Sequence, residues 1–429
     1  MAGLKRDIGG IGAAFIALNG IVGAGIFAMP QALVEGAGAA SAYLILIFGA
    51  AMVFVALVFG ELASRFDAAG GPVLYADAAF GRFAGFQMGW LFFLARAAAI
   101  GANTNALLTY LAVFVPGADQ GAVRLAVIAA LLAVLTAINI AGVKSAVRTL
   151  NVVTVIKLAP LLVLVGWGLF AFVETIPAPA VPTVGAAESV GLLLLYAFVG
   201  FEIATITAGE TQDAKKRVPI ALVGTIAAMT LLYFLVQLSY LAIMQGRTPE
   251  GAALSTAAET LAGPVGAVAI TLAAIVSIGG NLFAAMITTP RVTYALAQEQ
   301  SLPRWFGALN ARFATPGNSI VFFGVIVGTL AMSGAFAALA VMSALARMVI
   351  YLVCTGALVK LRRDAPAGDR PRRGVLVLRW VTPPLAALLC LWAMAQASAE
   401  AWAFLAGFAL AGSALYALAR WRAAKGSPI

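Results

Sequence analysis

The stretch Asn19-Gly20-Ile21-Val22-Gly23-Ala24-Gly25-Ile26-Phe27 decides how this chain is read. It lies mid-way along the first apolar segment, from about Ile8 to Glu35, which is long enough to span a bilayer. Glycines at 20, 23 and 25 are a poor way to keep a helix continuous, because each costs about 1 kcal/mol against alanine in a helix interior. Unwound backbone at membrane depth is tolerated only where it lines a cavity or is buried in protein. One reading is therefore a broken helix whose freed amides and carbonyls face a polar ligand. The other is a groove of small residues for close helix packing. A second stretch, Phe198-Val199-Gly200-Phe201-Glu202-Ile203, sits in another apolar segment, from about Ser189 to Gly209, and repeats the Val-Gly and the following Ile. The two breaks fall in the first and sixth spans. Interrupted apolar segments at corresponding places in two halves point to a transporter's central site.

Composition fixes the class. Of 429 residues, 63% are hydrophobic and 10% charged, and the mean hydropathy is +1.01. This is an all-α integral membrane protein, not a soluble domain. The net charge of +10 is not gathered in one patch, so no nucleic-acid partner is expected. Histidine is absent, which removes the commonest general base and metal ligand. Cys354 and Cys390 both lie in apolar spans and read as packing residues. No enzyme activity, cofactor or metal is expected. Lys5 and Arg6 precede a full-length span rather than the short apolar region of a cleavable leader.

About twelve spans are expected, at roughly 8–35, 39–64, 84–114, 121–142, 150–173, 189–209, 218–244, 265–290, 318–333, 337–359, 375–397 and 399–421. With the N-terminus inside, the connections on that side carry most of the 27 Lys and Arg, including Arg65, Lys144, Lys215, Arg304 and the run from Lys360 to Arg379. The outer loops carry Arg124 and Arg247. This asymmetry places both termini in the cytoplasm, in a cytoplasmic membrane. The Arg- and Pro-rich piece 361–374 reads as a topology anchor.

Charges inside spans are expensive and default to functional candidates. Lys157 stands about two turns into the fifth span. It is a fixed cation, a proton-coupled group, or the partner of a buried carboxylate. Glu202, just after the second break, could accept from unwound amides, carry a proton or meet a cationic substrate group. Arg96 in the third span and Arg347 in the tenth are open between site and structure. Glu61 and Arg291, at span ends, read as inner-side gate or interface residues. Tyr196, one turn before Gly200, is placed to lid a central site.

These residues resemble the amino acid–polyamine–organocation family of permeases. The resemblance is carried by Gly23-Ala24-Gly25-Ile26-Phe27 with Pro30, by Gly70-Gly71-Pro72-Val73-Leu74-Tyr75 with Phe80-Gly81, and by Phe198-Val199-Gly200-Phe201-Glu202 with Glu210 and Pro219. Arg291-Val292-Thr293-Tyr294-Ala295-Leu296-Ala297, Leu302-Pro303 and Thr315-Pro316 follow in order, so the likeness covers nearly the whole chain. It implies a LeuT-like fold of two inverted five-helix repeats with broken helices 1 and 6, in 1–173 and 174–360, plus two peripheral helices in 361–429. The substrate carboxylate would meet the amides of Gly23, Ala24 and Gly25, and its ammonium the carbonyls of Ile21, Val22, Phe198 and Val199 beside Gly200. Tyr196 matches an aromatic gate position. Asn281 matches a position lining the side-chain pocket, with Ala95 and Ile100 beside it. Lys157 matches a lysine of sodium-independent members, and with Glu202, Arg96 and Tyr196 forms the coupling and gating set. The sequence departs from the family pattern at Ala24, where many members have Ser, at Asp67 after Phe66, and at Gln212-Asp213-Ala214.

The expected function is secondary transport of an amino acid by alternating access, as a sodium-independent exchanger or proton symporter. The small, apolar pocket residues favour a neutral substrate, while Arg96 leaves an acidic one open. Alternatives are cationic amino acids or polyamines and, from other classes, a membrane-embedded enzyme or a channel. Beyond the bilayer and the substrate, a homodimer is allowed and no obligatory partner subunit is evident.

Overall fold

The structure is a computed structural model that describes residues 8–66, 70–142, 147–364 and 373–424, with side chains described outside 147–157 and 373–378. The calls on Asp67 and Lys144 lie outside the described residues. Among the described residues the chain is helical, and strand pairing is limited to one isolated bridge between Ile8 and Thr211.

The first apolar segment is α1 (Gly10–Ile21), α2 (Gly25–Ala28) and α3 (Pro30–Ala37). The break at Val22 to Ala24 thus falls where the glycines place it. There follow α4 (Ser41–Arg65), a short α5 (Pro72–Phe80), α6 (Arg82–Leu111), α7 (Gly121–Ala141) and α8 (Val147–Ala171). The second interrupted segment is α9 (Val184–Phe198) and α10 (Ile203–Ile206). Then come α11 (Ala214–Met244), α12 (Ala253–Thr288), α13 (Pro290–Gln298), α14 (Gly317–Ser333), α15 (Phe336–Arg363), α16 (Arg373–Ala395) and α17 (Ala399–Ala424).

Eight helical stretches among the described residues are long and apolar enough to cross a membrane, and Gly10–Ile21, Leu158–Ala171, Gly317–Ser333 and Arg379–Ala395 are shorter apolar helices. The eighth expected span starts earlier than hydropathy marks it. Helix α12 begins at Ala253 and bends at Gly263, whose φ of 62° and following Pro264 interrupt the turn without ending the helix.

Burial is inverted relative to a soluble protein. Helix α6 is buried along nearly its whole length, from Gly85 to Tyr110. Helix α7 buries only Ile128, Leu132 and Asn139. Large apolar side chains such as Phe170, Leu410 and Trp421 stand exposed on the outside, as a lipid-facing surface requires. Helix α4 packs on α11, and α15 on α6. Helix α17 docks on α6, where the Trp90 indole donates to the Phe408 carbonyl at 2.8 Å. At the end of α4, Glu61 accepts from Arg65 at 3.0 Å and from Arg379 at 3.2 Å, and also pairs with Arg362. That cluster ties α4 to α15 and α16. Nearby in the chain, Ile8 and the segment after α10 exchange backbone bonds, Ile8 donating to Glu210 and Gln212 to Ile8.

Candidate functional site

The two interrupted helices cross backbone to backbone. A Cβ placed on Gly20 would lie 2.2 Å from the Gly200 carbonyl oxygen, and a Cβ on Gly200 would lie 2.2 Å from that of Gly20. No other residue type permits that approach, and Gly200 also adopts a φ of 108° that L-residues avoid. Both breaks are buried: Val22 and Ala24 are fully enclosed, as are Phe198 and Phe201. Such a crossing puts unpaired amides and carbonyls of two helices into one small volume.

The first break is held by neutral dipoles. The Ala24 amide donates to Asn103 Oδ1 at 3.3 Å, and the Tyr196 hydroxyl donates to the same oxygen at 2.9 Å. Asn103 Nδ2 donates to Asn281 Oδ1 at 3.0 Å, and Asn281 Nδ2 to the Asn19 carbonyl at 3.3 Å. A chain of uncharged side chains thus runs from α9 through α6 and α12 to α1. The Gly23 amide donates to the Ile21 carbonyl at 2.9 Å, which tightens the turn.

The second break is held by charge. Arg347 Nε donates to Glu202 Oε1 at 3.0 Å, with both side chains enclosed. Glu202 Oε2 accepts from the Gly200 amide at 2.8 Å and from the Tyr351 hydroxyl at 2.7 Å. Arg347 also donates to the Ala95 carbonyl at 3.3 Å and to Ser343. Glu202 therefore satisfies an unwound amide, one of the roles expected of it, and Arg347 is its partner across 145 residues of sequence.

The other expected residues fall around this frame. Ala95 and Ile100 are both fully buried in α6, Ala95 through its carbonyl in the charged cluster and Ile100 with its carbonyl taken by the Thr104 hydroxyl at 2.8 Å. Tyr196 is buried and meets the Phe336 ring edge-on. Arg96 is buried in α6, next in sequence to Ala95, whose carbonyl accepts from Arg347. The side chain of Lys157 lies outside the described residues. Sequence reading missed Asn103, Tyr351 and the partner of Glu202. Asn103 had a signal: it follows Arg96 by seven residues, two turns of α6, so both share one face.

A helical membrane protein with two broken helices crossing at a buried polar centre is, as a class, a transporter rather than an enzyme. The sequence profile of the amino acid permease family matches residues 8–417, and the chain belongs to that family. It is 28% identical over 401 residues to an uncharacterized transporter of Mycobacterium tuberculosis, covering 89% of this chain and 87% of the relative. It is 26% identical over 330 residues to the serine/threonine exchanger SteT of Bacillus subtilis, covering 75% of each chain. The methylthioribose transporter of the same organism is 24% identical over 417 residues, covering 93% of this chain and 90% of the relative.

Proposed function

We propose that this protein is a secondary transporter of amino acids working by alternating access, sodium-independent, by exchange or proton symport. We place it in the cytoplasmic membrane with both termini inside, as about twelve spans in two inverted repeats, 1–173 and 174–360, with peripheral helices in 361–429. The packing supports the repeats, because helix contacts come in matched pairs: α1 on α11 beside α9 on α4, α8 on α12 beside α15 on α6, α7 on α12 beside α14 on α6. The pairs interchange when the first five spans are swapped for the next five in order. The Lys and Arg asymmetry supports the orientation.

The observation that carries the function is the crossing at Gly20 and Gly200, which brings the ends of two broken helices together. The substrate carboxylate binds the amides of Gly23, Ala24 and Gly25 by replacing Asn103 Oδ1, an acceptor already seated on one of them. A charged acceptor outbids a neutral amide there. Because Asn103 also holds Tyr196 and Asn281, its release frees the neutral chain linking α6, α9 and α12, which couples binding to helix movement. The substrate ammonium meets the carbonyls of Ile21, Val22, Phe198 and Val199, and Tyr196 covers the site. Lys157, by the family resemblance, stands in for a sodium ion, and the exchanger among the relatives supports exchange.

The test is uptake of labelled amino acids into proteoliposomes, with and without internal amino acid, sodium and a proton gradient. The expected result is saturable, sodium-indifferent flux stimulated by internal substrate or by an inward proton gradient. Absence of flux for every amino acid, from protein that melts cooperatively, would overturn the reading.

A further inference from the structure

Among the described residues, none pairs with the charge of Arg96. Arg96 is 6% exposed, in a helix buried along nearly its whole length. Among the described residues no acceptor lies within hydrogen-bonding reach of its guanidinium, and no carboxylate within ion-pairing reach. The charged groups nearest in effect are Arg347 and Glu202, with Tyr196 beside them. Glu202 is spent: one oxygen takes Arg347, and the other takes the Gly200 amide and the Tyr351 hydroxyl. Two guanidiniums and one carboxylate leave one positive charge over in a low-dielectric interior. Burying a lone charge is costly, and cations so placed are ordinarily paired.

The position of Arg96 says what is to pair with it. Arg96 and Asn103 share a face of α6, two turns apart. On that face Asn103 touches the Ala24 amide and Tyr196. Arg96 therefore belongs to the wall of the central site, displaced along α6 from the place where the substrate carboxylate binds. A zwitterionic amino acid with an uncharged side chain brings no net charge and leaves the surplus cation as it was. A cationic amino acid or polyamine adds repulsion. An amino acid with a second carboxylate brings one net negative charge, and a guanidinium fork suits a carboxylate in two-bond geometry.

We propose that Arg96 is the counter-charge for the side-chain carboxylate of an acidic amino acid, which makes acidic amino acids the substrate class; this rests on the amino acid reading above and replaces the neutral expectation. Arg347, held by Glu202, is a positioning residue and does not take the ligand.

The experiment compares purified wild-type protein with R96Q and R96K. It reads thermal stabilisation and proteoliposome flux for L-glutamate, L-aspartate, L-glutamine, L-asparagine and L-serine. Wild type is expected to favour an acid over its amide by roughly tenfold to a hundredfold, the range for a charge-assisted bond. R96Q is expected to lose that preference and take glutamine as well as glutamate, and R96K to fall between them. Ligand-free R96Q is expected to melt above wild type, because an unpaired buried charge is gone. A wild type that binds neutral amino acids and not acidic ones would overturn the charge assignment and leave the amino acid reading standing. So would an R96Q protein weakened equally for acid and amide, which would place the α-carboxylate on Arg96. No binding by any amino acid would overturn both. If R96Q does not fold, wild-type selectivity and its change in R96K decide.

Discussion

The two breaks sit on either side of one crossing and are stabilised by opposite means. The first is closed by an asparagine network, Asn103, Asn281 and the Asn19 carbonyl, in which no member is charged. The second is closed by a buried ion pair whose acid also accepts from a backbone amide and a tyrosine. A neutral amide is displaced from a backbone donor at modest cost. A carboxylate enclosed with a guanidinium is not, because loss of either partner strands a buried charge. On the proposed reading, the first break exchanges its partner for a ligand and the second holds its shape while that happens.

The sharpest way to break this comparison is Arg347→Met. It strands Glu202 in the interior and is expected to cost about 3–5 kcal/mol, read as a fall in melting temperature of the purified protein. Adding Glu202→Gln should restore part of that loss, and a double variant no better than the single one would refute the pairing as the anchor. Next is Gly200→Ala, where a Cβ meets the Gly20 carbonyl and the residue keeps a positive φ. Strain and overpacking together are expected to cost about 2–4 kcal/mol and to abolish flux. Asn103→Ala leaves the Ala24 amide and the Tyr196 hydroxyl without their shared acceptor, an expected loss of about 1–3 kcal/mol. On the proposal that the substrate carboxylate replaces that acceptor, saturating amino acid should recover more stability in Asn103→Ala than in wild type, and a ligand shift no larger than wild type would count against the exchange. The smallest effect is expected for Tyr196→Phe, about 0.6 kcal/mol, a typical value for one interhelical bond in a membrane. It should weaken substrate affinity by less than Tyr196→Ala, since the ring proposed to cover the site remains.

Much of this frame is legible in the residues themselves. Gly20, Gly23 and Gly25, and later Gly200, weaken a helix wherever they stand, so the breaks announce themselves in the sequence. The pairing of Glu202 with Arg347 does not, because it depends on how α15 packs against the second interrupted segment from 145 positions further along the chain. Asn103 was hidden among neighbours that look alike and act differently. Thr104 returns a bond to its own helix at Ile100, as isolated polar residues in a span commonly do, while Asn105 ties α6 to the end of α14 and to Arg124 of α7. Asn103 is the one of the three that meets the first break, bonding the Ala24 amide together with Tyr196 of α9 and Asn281 of α12.

By itself, the sequence determined that the chain lies in a membrane, where most of its apolar helices run and where two of them are interrupted. Hydropathy, length and the conformational freedom of glycine are properties of short stretches, and they act wherever the stretch is placed. The tertiary structure decided which charges are paired and which are left over. The packing of α15 gives Glu202 to Arg347, and among the described residues Arg96 is left buried in α6 without a carboxylate in ion-pairing reach. That choice depends on interhelical distances of a few ångströms, over which the energy of a buried charge changes by more than any local preference can supply.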